Sequence, residues 1–185
     1  MRIAVVAKKG GVGKSLVSLL LYESLRQAGR SVNLVDWDVQ GTSTKSRALI
    51  DKGREVEETA DVMIYDTPPN LTSHATANPM GFADLILVVA TPSPVDVWEA
   101  QDAAQVAKKA AKRGAKVRVI FNKVRVNTLL GRMLDETAEG FVVPTLATVI
   151  SSREVYQHFY VRGWKALDAP AREEVLQLTI AVLGL

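Results

Sequence analysis

The run Lys8-Lys9-Gly10-Gly11-Val12-Gly13-Lys14-Ser15 constrains the fold more than any other segment of this chain. It follows an apolar stretch, Ile3 to Ala7, that has the composition of a buried strand. It precedes residues 15–28, where Leu16, Leu19, Leu20 and Leu25 recur at helical spacing and Gly29 is placed to end the helix. Glycines between a strand and a helix let the backbone close around a phosphate with its N–H groups pointing inward. The helix then adds the positive end of its dipole. In such a loop Lys14 reaches the β- and γ-phosphates of a nucleotide, and Ser15 is placed to ligate Mg²⁺. The usual pattern asks for glycine five residues before Gly13, where this chain has Lys8, so the loop is a deviant one.

The rest of the chain keeps the same rhythm. Further apolar runs lie at 32–35, 62–65, 85–90, 117–121 and 145–150, and helical stretches at 95–113 and 128–139. Ser151 to Glu154 has capping-box spacing and predicts another helix start, and Pro170 opens a last helix to about Leu183. The runs are continuously apolar, as strands are when helices cover both faces of a parallel sheet. The chain therefore reads as one α/β domain over residues 1–185, a doubly wound, mainly parallel sheet flanked by helices. Ligands of such sheets sit at the carboxyl ends of the strands.

Each polar motif falls at such an end. The second strand runs into Asp36-Trp37-Asp38-Val39-Gln40-Gly41, and the third into Asp66-Thr67-Pro68-Pro69. Asp66, an aspartate closing an apolar strand after a phosphate loop, is placed to meet Mg²⁺ through water. Asp38 has the chemistry to act on a water near a γ-phosphate, and the alternative for both aspartates is to cap the loop after a buried strand, a reading that weighs more for Asp36 than for Asp38. Two prolines stiffen the segment after Asp66 so that a phosphate contact moves it as a unit. The fifth strand ends in Asn122-Lys123, and Arg125 stands where guanine-selective proteins carry an aspartate, so guanine readout lacks its carboxylate. Trp37 could face a dimer interface, a nucleotide or the core. His74 and His158 belong to no metal-like cluster.

Lys9-Gly10-Gly11-Val12-Gly13-Lys14-Ser15 resembles the deviant Walker A motif of the ParA/MinD family of P-loop NTPases. The Thr91-Pro92-Ser93-Pro94-Val95-Asp96 segment and Arg153-Glu154-Val155-Tyr156 are similar to small ParF-like plasmid partition ATPases, so the resemblance covers nearly the whole chain. It departs in two places. Val39 stands where proline is usual, and Lys45 to Asp61 is shorter than in ParF-like relatives, with room for a missing strand or helix. The resemblance implies hydrolysis of Mg-ATP in a sandwich dimer. Lys9 would be the signature lysine that reaches the partner's nucleotide, where a cation supplied in trans stabilises the transferring phosphoryl group. Lys14 and Asp38 would complete the catalytic set, Asp38 positioning the attacking water. Ser15, Asp66 and Asp36 would surround the magnesium. Asn122 would join the loop residues in nucleotide binding by contacting adenine.

Charge distribution adds a partner. Residues 103–134 hold nine basic side chains and no acidic one, whereas residues 1–100 hold 10 basic and 12 acidic. A local excess that includes Lys108, Lys109, Lys112 and Arg113 suits sequence-independent contact with DNA phosphates. The resemblance agrees: an ATP-dependent homodimer on the nucleoid, cytoplasmic, with a centromere-binding or cargo adaptor protein that stimulates hydrolysis. The last helix carries only Arg172 as a basic residue, against the several that a membrane-surface helix needs, so no membrane partner is expected. With the phosphate loop starting at residue 8, direct operator recognition by a preceding helix-turn-helix is not expected either. The absence of cysteine excludes thiolate zinc sites and iron–sulfur electron transfer. The competing class is an ATP-dependent synthetase like dethiobiotin synthetase, which needs a small-molecule pocket of its own.

Overall fold

The computed structural model describes residues 1–52 and 59–185. Five parallel strands form the sheet: β1 (Arg2–Val6), β2 (Val32–Asp36), β3 (Val62–Asp66), β4 (Leu85–Ala90) and β5 (Lys116–Phe121). Their spatial order is β2-β3-β1-β4-β5. The chain leaves β1 in one direction to build β2 and β3, then returns past it to build β4 and β5. β1 is thus the central strand, and the loop after it opens at the point where the winding reverses, the usual place for a ligand. Ile3 pairs with Ile64 on one side and Leu85 on the other, and Asp36 stands level with Asp66 at the carboxyl ends of β2 and β3.

Helices cover both faces. On one side α1 (Lys14–Gln27), α7 (Val155–Arg162) and α8 (Ala169–Leu183) bury Leu19, Leu20, Phe159, Val175 and Leu178 against Ile3, Val5, Leu34 and Ile64. On the other, α4 (Pro94–Ala110) lays Ala100, Ala103, Ala104 and Ala107 onto Ala4, Ile86 and Val88, beside Met80 of α3 (His74–Phe82). The alanine face lets α4 sit close to the sheet, and continuous burial of β4 on both faces explains its unbroken apolar run.

Several elements depart from the sequence expectation. α2 (Thr42–Ile50) and α3 have no apolar stripe to announce them. α2 buries only Ser43 and Ser46, and α3 contains Pro79 and Gly81. α4 ends at Ala110 rather than 113. The helix expected over 128–139 is two short ones, α5 (Leu129–Arg132) and α6 (Leu134–Glu139), broken at Met133. Gly131 is needed there, because a Cβ would lie 2.2 Å from the Arg125 carbonyl oxygen. The run 145–150 is not a sixth strand. It follows the edge of β5 through isolated bridges, with Leu146 N–H on the Val119 carbonyl and Ile150 N–H on that of Phe121. Partners four residues apart on one side meet carbonyls two apart on the other, so the intervening residues bow out of the ladder. The capping box at Ser151 does not form: the Ser151 N–H goes to Glu174 at 3.1 Å, and α7 starts only at Val155. The shortened stretch from Lys45 lies partly in α2, and residues 53–58 fall outside the described residues.

Candidate functional site

The phosphate loop leaves β1 at the centre of the sheet and enters α1 at Lys14. Gly11 and Gly13 have φ of +82° and +96°, a region that side chains avoid. At Gly13 there is no room either: an added Cβ would sit 2.1 Å from Nδ2 of Asn122. That amide donates to the Val12 carbonyl at 2.8 Å, and Lys123 donates its ammonium to the Gly11 carbonyl at 2.7 Å. Consecutive side chains just after β5 therefore hold consecutive carbonyls of the loop. Lys123 takes φ of +57° to do so, the only described residue other than glycine with positive φ. Asn122 is fully buried, and its Oδ1 has no hydrogen-bond partner. The sequence points to Asn122; the part Lys123 plays is visible only in the structure.

Lys14 and the carboxylates converge beside this loop. Lys14 is 6% exposed. Burial pulls its ammonium below the ordinary lysine value, while Asp66 and Asp38 pull it back up, so both carboxylates lie within electrostatic reach. Asp66 is fully buried at the end of β3. Its Oδ2 accepts from the Ser43 hydroxyl, and its Oδ1 is buried with no hydrogen-bond partner. Burial raises its pKa to about 6, against the lowering influence of the Ser43 and Ser15 hydroxyls. An orphaned carboxylate oxygen in this position carries a desolvation cost that a cation or its water would relieve. Ser15, Asp66 and the open loop therefore fit Mg²⁺, which takes few protein ligands and keeps waters and phosphates for the rest.

Asp36 and Asp38 shape the loop after β2. Asp36 accepts from the Asp38 N–H at 3.0 Å through Oδ1 and from the Thr44 N–H at 2.9 Å through Oδ2. One side chain thus ties the start of the loop to the first turn of α2, the capping role that the sequence left open for it. Asp38 accepts from the Gln40 N–H at 3.0 Å and is half-buried. Trp37 packs edge-on against Tyr65 and Phe82, with ring centres 5.9 and 6.5 Å away, which anchors this loop to β3 and α3.

The two lysines that make the loop deviant are both held by α4. Lys9 donates to Asp96 at 2.7 Å, and Asp96 also accepts from Thr91 at 2.7 Å. Burial pushes the Asp96 carboxyl up, but Lys9 and Thr91 more than offset it and hold it below its ordinary value. Lys8 pairs with Glu99 at 2.8 Å and Asp102 at 2.9 Å. Asp96, Glu99 and Asp102 fall on one side of α4 at three-residue spacing. That spacing is present in the sequence, and Asp96 belongs to the proline-rich segment singled out there. Nothing in the sequence says which cations it meets.

The basic cluster lies at the far end of α4. Lys112 pairs with Asp84 at 2.6 Å, just before β4 begins, and Lys108 donates to the Val142 carbonyl at 3.3 Å. The Lys112 pair lies at the amino end of β4, opposite the phosphate loop. Lys109 and Arg113 are exposed, and Lys109 also lines a groove of about 520 Å³ between α4 and Pro69 to Thr72. Among the described residues no helix is long and apolar enough to cross a membrane.

Comparison with known proteins agrees with this geometry. The model of the CobQ/CobB/MinD/ParA nucleotide binding domain matches residues 3–159. The maintenance of carboxysome distribution protein A of Halothiobacillus neapolitanus is 28% identical over 191 aligned residues, covering 92% of this chain and 88% of that protein. The putative plasmid partition protein of Borrelia burgdorferi, solved with AMPPNP, superposes with a TM-score of 0.79 at 16% identity over 99% of this chain and 98% of that one. The septum site-determining protein MinD of Pyrococcus horikoshii, solved with Mg-ADP, gives 0.76 at 17% identity over 98% and 95%. Identities this low carry the fold alone, but the match to the family model spans most of the chain and includes every element of the site. This chain is a member of the CobQ/CobB/MinD/ParA nucleotide-binding family, with the P-loop NTPase fold and the deviant Walker A loop of its ParA/MinD branch.

Proposed function

We propose that this chain is an ATPase that closes into a sandwich dimer on Mg-ATP, holds DNA without sequence preference, and distributes a cargo along it until a partner protein stimulates hydrolysis. The observation that carries this reading is the buried Lys14 ammonium, set on a glycine loop within reach of both Asp66 and Asp38. Residues 9–15 bind the phosphates, Lys14 neutralises them, and Asn122 serves nucleotide binding by bracing the loop. Ser15 and Asp66 hold the magnesium, and Asp36 forms the loop that closes over it. When bound, that ion supplies charge neutralisation at the phosphates. Asp38 orients the attacking water.

Lys9 acts in trans. In one chain it is paired with Asp96, so it must leave that carboxylate to reach a partner's phosphates. The pair is half exposed on the lysine side, which keeps the cost of release within about 1 kcal/mol. DNA binding rests on Lys108, Lys109, Lys112 and Arg113. The cargo is a plasmid or chromosome, or a protein body such as the one named for the Halothiobacillus relative. The chain then works in the cytoplasm on the nucleoid.

The test is binding of purified protein to random-sequence duplex DNA with ATP and with ADP, at two salt concentrations, alongside phosphate release. Binding that requires ATP and weakens steeply with salt supports the reading. ATP turnover without DNA binding in either state, but dependent on an added small acid or amine, would replace it with the synthetase class.

A further inference from the structure

Ser43 is named by neither the loop motif nor the strand-end aspartates, yet it is fully buried and touches the most enclosed carboxylate of the site. It is the second residue of α2, after Gly41, which enters the helix with φ of +64°. Two side chains fix its place. Asp36 ties the Thr44 N–H back to the end of β2, and Ser46, one turn on, donates its hydroxyl to the Tyr160 carbonyl of α7 at 2.7 Å. Ser43 is therefore presented to Asp66 by a helix anchored on both sides. Its hydroxyl takes Oδ2, and the second oxygen, Oδ1, is left buried and unpartnered.

We propose that Ser43 is a positioning residue for the magnesium site: its hydrogen bond fixes the rotation of the Asp66 carboxylate, so that Oδ1 is kept for the ion or its water. The inference rests on the Mg-ATP reading of the site. Without the bond, the carboxylate of Asp66 can turn, and a magnesium shell that demands near-ideal octahedral geometry loses an oriented acceptor. Residues that orient a ligand in this way typically change metal affinity by about ten-fold or more when removed. The same contact joins α2, which follows the loop that carries Asp38, to the end of β3.

The test is the dissociation constant of ADP, measured by calorimetry on the full chain with Mg²⁺ and with EDTA. The ratio of the two isolates what magnesium contributes. Ser43→Ala and the nearly isosteric Ser43→Cys, a weak donor, should each reduce that ratio about ten-fold. ADP affinity in EDTA should stay within about two-fold of the parent, since the phosphate loop itself is untouched. A merely structural serine would lower both affinities together, and that result, or an unchanged ratio, overturns the proposal. If Ser43→Ala does not fold, Ser43→Cys decides alone. A parent protein that binds ADP equally with and without Mg²⁺ removes the role of Ser43 and leaves nucleotide binding standing, whereas no ADP binding at all removes the ATPase reading itself.

Discussion

Asp66 makes the nucleotide-free protein less stable at neutral pH than its fold requires, and Asp66→Asn should show by how much. Burial raises the folded-state pKa of this carboxyl to about 6 from an ordinary 3.8. Between those values the folded chain binds a proton that the unfolded chain has released, so stability falls as pH rises through this window. Above it the charged carboxylate costs about 3 kcal/mol, with the attraction of Lys14 already contained in the shift. Asparagine keeps an oxygen to accept from Ser43 and removes the charge, but leaves an amide nitrogen where Oδ1 was, at a cost of about 1 kcal/mol. The variant should therefore be more stable than the parent by about 2 kcal/mol at pH 8. In a chain of this size that is a rise in Tm of roughly 5 °C. At pH 4 the advantage should vanish. Thermal unfolding without nucleotide, from pH 4 to pH 8, measures the difference directly, and groups such as Glu174 and Asp96 cancel because both proteins contain them. Parallel curves for parent and variant, or a variant less stable at pH 8, would refute the account of Asp66 as a strained, buried carboxylate awaiting a cation.

Lys14→Ala should abolish nucleotide binding, seen in calorimetry, because the loop loses its one buried cation. Asp38→Ala should leave ATP affinity within a few-fold of the parent while phosphate release stops and a dimer accumulates on size exclusion; normal turnover removes its role. Asp96→Ala should free Lys9 and lower the protein concentration at which ATP dimerises the chain by about two- to five-fold, the scale of a half-exposed ion pair; a weakened dimer would mean that Asp96 belongs to the interface instead. Neutralising Lys108, Lys109, Lys112 and Arg113 together should weaken DNA binding and flatten its salt dependence, and an unchanged slope moves the DNA surface elsewhere.

How much of this was legible depended on whether a residue announced itself through the core or through a motif. The strands and α1, α4 and α8 carry apolar runs or stripes, and they were found within a few residues. α2 buries serines and α3 is interrupted by Pro79, so periodicity was silent on both, although α2 presents Ser43 to the site. The run 145–150 has strand composition because it is half covered by the sheet edge. Composition does not register that its pairing with β5 is interrupted between Leu146 and Ile150. In the site, glycine spacing and strand-end aspartates point to the loop, Lys14 and Asp66, which the fold brings to one end of the sheet. The pairings that set their electrostatics join residues 23, 87 and 110 positions apart, namely Ser43 with Asp66, Lys9 with Asp96 and Val12 with Asn122. Such contacts depend on the winding of the sheet, and no local pattern encodes them.

The winding also bears on how ATP could control DNA binding. Asp84 fixes Lys112 at the amino edge of the sheet, and the phosphate loop opens at the carboxyl edge. α4 spans much of that distance, 17 residues or about 25 Å of helix, with Asp96 in its first turn and Lys108 and Lys109 in its last. Lys112 therefore lies far from a γ-phosphate, although Lys109 shares a groove with Lys8 of the phosphate loop. On the proposed reading ATP acts by joining two chains, which places two basic clusters on one duplex and converts the second contact into an intramolecular one. The salt dependence should then separate the mechanisms. A dimer-driven switch doubles the logarithmic salt slope between the ADP and ATP states, because twice as many phosphates are neutralised. A local conformational switch within each chain would instead raise affinity at a nearly constant slope.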